Sequence, residues 1–305
     1  MAGKKILIIV MDGLGDRAVK ELGYKTPLQA AKKPNLDWFA QNGSTGAMDV
    51  IGPGVRPGSD TSHLAILGYD PYEVYTGRGP FEAAGVGLIG KKGDVAFRCN
   101  FATVDDDFNV LDRRAGRIKE PDTSELVKAL EGLEINGIRA IVKDATEHRA
   151  VLLLRGDGLD AHVTDADPHE VARVHVSRPL VPEAKRTADA VNEFVKRSYE
   201  LLKDHPVNVR RKKEGKPPAN ILLPRGAGPF PDIVPFEERW GLTASCVAGV
   251  SLIKGICKMC GLEVVEPSGG TGGLDTNMEA KARVALRELE KKDFVLMNVK
   301  ATDVA

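Results

Sequence analysis

Hydrophobic positions in this chain fall into two textures. Near the start, Lys4-Lys5 leads into Ile6-Leu7-Ile8-Ile9-Val10, an unbroken run rich in β-branched residues, which predicts a parallel strand buried on both faces. The run ends in Met11-Asp12-Gly13. A second run, Asp293-Phe294-Val295-Leu296-Met297-Asn298-Val299, has the same character and ends in Lys300-Ala301-Thr302-Asp303. Each strand delivers an aspartate just past its carboxyl end, the edge at which open α/β sheets bind ligands. Ahead of the second run, Met278, Ala282, Ala285, Leu286 and Leu289 recur at helical spacing, with Thr276 and Glu279 as a capping box and Lys291-Lys292 at the end. This predicts a helix feeding a parallel strand. Ala244 to Cys260 reads as one apolar helix stopped by Gly261.

The middle of the chain alternates shorter elements. Asp94 to Phe101, Ile138 to Lys143 and Val151 to Leu154 predict strands, while Asp122 to Leu133 and Thr187 to Leu202 predict helices. The alternation implies a second α/β unit inserted in the first. The basic, proline-rich text from Arg210 to Pro218 predicts a surface loop. Ser268 to Leu274 is rich in glycine but lacks the lysine of a nucleotide-binding P-loop, so it reads as a flexible connection. A chain of 305 residues is long enough for two domains. The boundaries expected are 1–80 and 231–305 for the first, and 81–230 for the inserted one.

Charge narrows the partners. Lys plus Arg and Asp plus Glu both number 43, so the chain has no basic excess for nucleic acid or an anionic membrane surface. The N-terminal apolar run is too short for a signal segment or a membrane span, and a soluble, cytoplasmic protein is expected. Four cysteines are too few for a disulfide framework. Cys257 and Cys260 have metal-site spacing without two further soft ligands nearby, so they are expected to be packing residues.

Candidate chemistry centres on Pro-Gly-Ser-Asp-Thr-Ser-His at 57 to 63. Ser59 precedes an apolar helical turn, where its hydroxyl either caps the helix or acts as a nucleophile in the positive field of the helix start. Asp12 and Asp303 beside Ser59 make an oxygen-rich set suited to Mn²⁺ or Mg²⁺, although turn and cap aspartates account for the spacing equally well. Cations come from the middle region: Arg113-Arg114-Ala-Gly-Arg117, His148-Arg149, Arg155 and Arg225. Arginine forks match phosphate and carboxylate, and a neutral-range imidazole at His148 suits proton transfer. Lys254 lies on an otherwise apolar segment, either snorkelling or buried. The acidic loop Asp165-Ala-Asp167-Pro-His169 reads as a metal site or as a plain turn.

Several blocks together resemble a known family. M-D-G-L-G-D at 11 to 16, P-G-S-D-T-S-H-L-A-I-L-G-Y-D-P at 57 to 71, D-R-R-A-G-R at 112 to 117 and E-H-R-A-V-L-L-L-R-G at 147 to 156 are similar to the archaeal-type cofactor-independent phosphoglycerate mutases. So are L-L-P-R-G-A-G at 222 to 228, T-G-G-L-D-T at 271 to 276 and D-F-V-L-M-N-V-K-A-T-D-V-A at 293 to 305. The resemblance implies the alkaline phosphatase superfamily: a parallel-sheet, phosphatase-like α/β domain with a second α/β domain inserted. It implies interconversion of 3-phosphoglycerate and 2-phosphoglycerate, with Ser59 as nucleophile and with Asp12, Ser59 and Asp303 as metal ligands. His148, Arg114, Arg117, Arg155, Arg225 and Lys254 then match substrate-holding positions. Two divalent ions are implied, manganese first and magnesium, cobalt or zinc as alternatives, with no 2,3-bisphosphoglycerate.

The family pattern continues past the aspartate matching Asp303 as D-x-x-x-H, followed by an Asp-His pair and a further histidine, whereas this sequence stops at Ala305. The expectation is a core whose C-terminal part is missing, an incomplete metal site and weak or absent activity. Two alternatives accompany the mutase reading: a metal-dependent phosphohydrolase or other phosphomutase, and an inactive metabolite-binding remnant. The partner expected is a small phosphorylated acid.

Overall fold

The computed structural model describes residues 4–305. Its strands, in chain order, are β1 (Ile6–Met11), β2 (Val95–Val104), β3 (Val110–Asp112), β4 (Leu133–Ile135), β5 (Ile138–Asp144), β6 (Arg149–Arg155), β7 (Ile221–Pro229), β8 (Ala244–Val247), β9 (Glu263–Val265) and β10 (Phe294–Val299). They belong to two compact units. The first takes the chain up to Pro71, Phe236–Val250 and Leu262–Ala305; the second takes Tyr72–Pro235 and Ser251–Gly261.

The first unit holds a parallel sheet in the order β1-β10-β8-β9. Every residue of β10 is buried, as its apolar run requires of a strand with neighbours on both sides. β1 differs from the expectation, because Ile6, Leu7 and Ile9 are 42%, 37% and 49% exposed. Among the described residues it pairs only with β10, at the edge of the sheet, and an apolar run reports a preference for burial rather than a place in the strand order. The register sets Ile6 against Phe294 and Met11 against Val299, and Asp12 N donates to Val299 O at 3.0 Å. The residues that follow both strands are thereby brought to one edge.

Two other local expectations change. Ala244 to Cys260 is a strand, β8, followed after a break by the helix Ser251–Met259. At the break, a Cβ on Gly249 would lie 2.3 Å from Gly270 O and 2.4 Å from Thr271 O, so the backbone passes too close there for any larger residue. The cap of helix Met278–Lys291 is Asn277, whose Oδ1 accepts from Ala280 N at 2.9 Å, while Thr276 Oγ1 donates to Thr271 O at 2.8 Å. The glycine-rich loop is tied down by the fully buried Lys281, whose Nζ donates to Thr271 O at 3.0 Å.

The second unit is α/β in content, with an antiparallel sheet in the order β3-β2-β6-β5-β4 and β7 pairing with β2. β2 is buried along its whole length because β6 and β7 flank it. Helices Asp122–Leu130 and Lys185–Leu202 lay Leu126, Leu130, Val191 and Phe194 into the same core as Phe97 and Leu152. Of the Arg210 to Pro218 stretch expected to be a loop, the part up to Lys213 belongs to a helix, Pro206–Lys213, while 214–218 is loop as expected. Pro206 opens that helix, and the buried Asn208 fastens it by donating to Leu202 O at 2.8 Å and Ala219 O at 2.9 Å.

The four cysteines are buried and form no disulfide. No helix among the described residues is long and apolar enough to cross a membrane.

Candidate functional site

In the first unit, the paired ends of β1 and β10 and the start of helix Ser59–Ile66 converge. Gly58 is the N-cap of that helix and Ser59 its first residue, so the capping role expected of Ser59 is not the one it plays. Its hydroxyl instead donates to Asp12 Oδ2 at 3.3 Å and accepts from Lys300 Nζ at 3.2 Å. The same ammonium lies 3.0 Å from Asp12 Oδ2 and 2.6 Å from Asp303 Oδ2. Asp12, Ser59 and Asp303, picked from the sequence by their positions, therefore surround one cation.

The backbone around this cluster is tightly specified. Gly13 has φ +77°, and a Cβ on it would sit 2.7 Å from Asp303 Oδ1, so glycine is required by both conformation and space. Thr302 Oγ1 donates to Asp12 O at 2.6 Å, locking the turn after β10 onto the turn after β1. His63, one helical turn beyond Ser59 and 1% exposed, donates from Nδ1 to Ser59 O at 2.6 Å and accepts at Nε2 from Asn298 Nδ2 at 3.1 Å. Burial lowers its pKa, in keeping with a neutral ring that has one donor and one acceptor nitrogen. Lys300, His63 and Asn298 were not singled out in the sequence. The signal was present in the polar residues at the end of an otherwise apolar β10 and in the i, i+4 spacing of Ser59 and His63.

The donor set around Lys300 consists of hard oxygens, and its geometry already holds a cation, so it fits one divalent ion of the Mg²⁺ or Mn²⁺ class. Among the described residues, no group of three or more His, Cys, Asp or Glu is assembled that could hold a metal ion.

In the second unit, strand register gathers arginines. Arg98 on β2 stands opposite Arg225 on β7, a like-charged pair that costs stability unless anions balance it. Arg98 is 8% exposed; burial, then Arg78, lowers its pKa to about 9, which leaves it charged at neutral pH. Two buried carboxylates sit among these cations. Glu82 Oε1 accepts from Arg78 Nε at 3.0 Å and lies 3.9 Å from Arg98 Nε. Asp167, 2% exposed, accepts from Asn100 Nδ2 at 3.0 Å and lies 3.6 Å from Arg225 and 3.7 Å from Arg113. The acidic loop, read as a metal site or a plain turn, anchors arginines. Arg225 Nη1 donates to His169 Nδ1 at 2.8 Å, and His169 Nε2 meets Asp165 Oδ2 at 2.9 Å.

Positive charge still exceeds what these carboxylates offset. Arg98 Nε, Arg113 Nε, Arg149 Nε and His148 Nδ1 are buried without a hydrogen-bond partner. Unpaired buried donors of this kind are costly, and an anionic ligand would satisfy them. Burial, followed by the fields of Arg149, Arg114, Arg98 and Arg117, pushes the His148 pKa down to about 3. His148, Arg114, Arg117 and Arg225 therefore belong to one electropositive region. Arg155 does not join it: it sits at the far end of β6 from Arg149 and is paired to Asp94, with Nη2 to Oδ2 at 2.6 Å. Lys254 is half-buried on helix Ser251–Met259. Arg78, Arg98 and Glu82 were not singled out in the sequence; Arg98 was missed because a charged residue inside an apolar strand is separated from a surface charge only by knowing that β2 is central.

A family model described as 2,3-bisphosphoglycerate-independent phosphoglycerate mutase matches residues 40–208. The chain is 53% identical over 304 residues to 2,3-bisphosphoglycerate-independent phosphoglycerate mutase 1 of Methanocaldococcus jannaschii, covering 99% of this chain and 74% of that protein. It is also 53% identical over 309 residues to the 2,3-bisphosphoglycerate-independent phosphoglycerate mutase of Methanopyrus kandleri, covering 99% of this chain and 73% of that protein. Among solved structures it resembles a Pyrococcus horikoshii protein, with a TM-score of 0.81, 41% identity and coverage of 98% of this chain and 71% of that one. A cofactor-independent phosphoglycerate mutase from Thermoplasma acidophilum matches with a TM-score of 0.68 and 41% identity, covering 97% and 77%.

Proposed function

The chain belongs to the 2,3-bisphosphoglycerate-independent phosphoglycerate mutases, and from that premise we propose that it interconverts 3-phosphoglycerate and 2-phosphoglycerate through a phosphoryl group carried on Ser59. The observation that carries the role of Ser59 is its placement: the first residue of a helix, freed from capping, with its hydroxyl shared between Asp12 and Lys300. The Ser59 proton points at Asp12 Oδ2, and Lys300 with the helix start supplies positive charge to the oxygen left behind. The Oγ–phosphorus bond forms as the bond from phosphorus to the glycerate oxygen breaks, and that oxygen takes up a proton. The neighbouring glycerate hydroxyl then takes the phosphoryl group and Ser59 is restored. Names at about half identity favour the mutase over the phosphohydrolase and the metabolite-binding remnant.

We assign the parallel-sheet unit to a phosphatase-like core of the alkaline phosphatase superfamily and the antiparallel unit to an inserted substrate-binding domain. The arginines and His148 would hold the carboxylate and phosphate of a small phosphorylated acid in the cytoplasm. The unpaired donors of Arg98, Arg113 and Arg149 support this, while Arg155, committed to Asp94, has a structural role. Asp12, Ser59 and Asp303 would hold a divalent ion, manganese first, in place of the Lys300 ammonium. When bound, such an ion lowers the pKa of a hydroxyl ligand and neutralises phosphate charge. The second ion of the family pattern would need donors beyond the set described here. No 2,3-bisphosphoglycerate is required, as the family name states.

Phosphorus NMR of the purified chain with Mn²⁺ and 3-phosphoglycerate tests the reading. The expected result is 2-phosphoglycerate, and Ser59→Ala lowers its rate of appearance by at least about 1,000-fold. Mutase activity retained by Ser59→Ala removes the phosphoserine route. Free phosphate as the sole product points instead to a hydrolase.

A further inference from the structure

We propose that Glu82 is a positioning residue for anion binding: it holds Arg78 and Arg98 in one fixed arrangement and does not itself touch the ligand. This rests on the reading of the arginine region as the place where phosphoglycerate is held. Glu82 is 3% exposed, so its carboxylate is out of reach of a ligand. Both of its oxygens are engaged. Oε1 accepts from Arg78 Nε at 3.0 Å and faces Arg98 Nε at 3.9 Å, while Oε2 accepts from Ser251 Oγ at 2.7 Å.

The helices that carry these groups allow little adjustment. Helix Arg78–Gly85 and helix Ser251–Met259 meet backbone to backbone. A Cβ on Gly85 would lie 1.9 Å from Ser251 O, and one on Gly255 would lie 1.7 Å from Phe81 O. Ser251 Oγ is therefore fixed relative to Glu82 by main-chain packing, and Glu82 in turn hydrogen-bonds Arg78 and attracts Arg98 electrostatically across 3.9 Å. Arg98 needs such an anchor more than an exposed arginine would. Arg78, Arg225 and Arg149 all repel it, and its Nε has no hydrogen-bond partner. Without the carboxylate, that repulsion would turn Arg78 and Arg98 away from one another and lose the arrangement in which their forks receive an anion together.

The test exploits opposite signs. Taking a negative charge out of an anion site strengthens binding by charge alone, whereas losing the arrangement of its arginines weakens it. Glu82→Gln preserves the shape and the capacity to bond Ser251. Titrated calorimetrically with 3-phosphoglycerate, it is expected to raise the Kd about tenfold relative to the unsubstituted chain. In the turnover assay the loss falls on KM rather than kcat. Ser251→Ala, which leaves the charge and frees Oε2, is expected to raise the Kd about threefold. A Kd for Glu82→Gln that is unchanged or lower, or a loss confined to kcat, overturns the positioning role. If Glu82→Gln fails to fold, the Ser251→Ala titration decides in the same way. An unsubstituted chain that gives no binding signal with 3-phosphoglycerate overturns the mutase reading, and this proposal with it.

Discussion

At the scale of single residues, His148 shows how a buried ionisable group ties stability to pH. The imidazole is 4% exposed and lies in the field of Arg149, the next residue and the first of β6, of Arg98 on β2, and of Arg114 and Arg117 in the loop after β3. Glu147 Oε2, at 3.9 Å, is too distant to compensate by a hydrogen bond. With a folded pKa of about 3, the ring stays neutral in the folded chain while the unfolded chain takes up a proton below about 6.5. The unfolded state therefore binds more protons between these values, and stability falls as pH falls through that window. Between pH 7 and pH 5 this one group should cost about 2 kcal/mol. Urea unfolding of His148→Gln at the two pH values is expected to show a pH-dependent loss smaller by roughly that amount. An unaltered loss would mean that His148 is protonated in the folded chain. The aspartates at the strand ends were legible from the sequence because strand polarity and sheet edge together fix where such residues go. Lys300 was not legible as their partner, because a lysine after a strand has many possible neighbours and only the register of β1 against β10 selects Asp12.

At the scale of elements, apolar runs announced β1 and β10, and helical periodicity announced the helix between β9 and β10. What periodicity missed was the change from strand to helix between Ala244 and Met259, where nearly every position is apolar for two different reasons. β8 is a strand with parallel neighbours on both sides, and the helix that follows lies against Arg78–Gly85 at glycine separation. Ser251, Lys254 and Lys258 carry a helical period, but the four residues of β8 are too few to announce a period of their own, so the helix is read back over them. The helix pair gives a direct test. Gly255→Ala improves helix propensity by about 1 kcal/mol, yet its Cβ would meet Phe81 O at 1.7 Å and Gly85 N at 2.7 Å. The steric cost should win, with a net loss of about 2–3 kcal/mol of stability in the second unit, measured by far-ultraviolet circular dichroism in urea. A neutral or stabilising effect would show that the two backbones do not approach so closely. Since Ser251 reaches Glu82 from this helix, the same substitution should weaken phosphoglycerate binding even where the unit remains folded.

At the scale of the whole molecule, the sequence indicated two α/β regions and a parallel sheet in the first, but it did not reveal that the sheet of the second is antiparallel. Strand direction depends on which strands pair, and the alternation of helices and strands in the middle region is compatible with either outcome. The two units also differ in how they bury apolar surface. The second gathers Phe97, Phe101, Leu126, Leu152, Phe194 and Leu222 into one continuous core. Around its sheet the first buries Val247, Ala285, Val295, Met297 and Val299 in one cluster, with Leu64, Phe236, Phe294 and Leu296 also buried, while Ile6, Leu7 and Ile9 of β1 remain substantially exposed. Stability follows buried apolar area, so the first unit should unfold before the second. The chain supplies its own probe for this. Both of its tryptophans, Trp38 and Trp240, lie in the first unit, and Trp240 Nε1 donates to Leu67 O at 3.2 Å. Tryptophan fluorescence therefore reports on the first unit, whereas far-ultraviolet circular dichroism averages over both. In a urea titration the fluorescence transition is expected at a lower midpoint, by about 1 M, with a second dichroism transition above it. Coincident transitions would mean that the exposed strand and the modest cluster around β10 do not limit the first unit, and that the chain unfolds as one cooperative body.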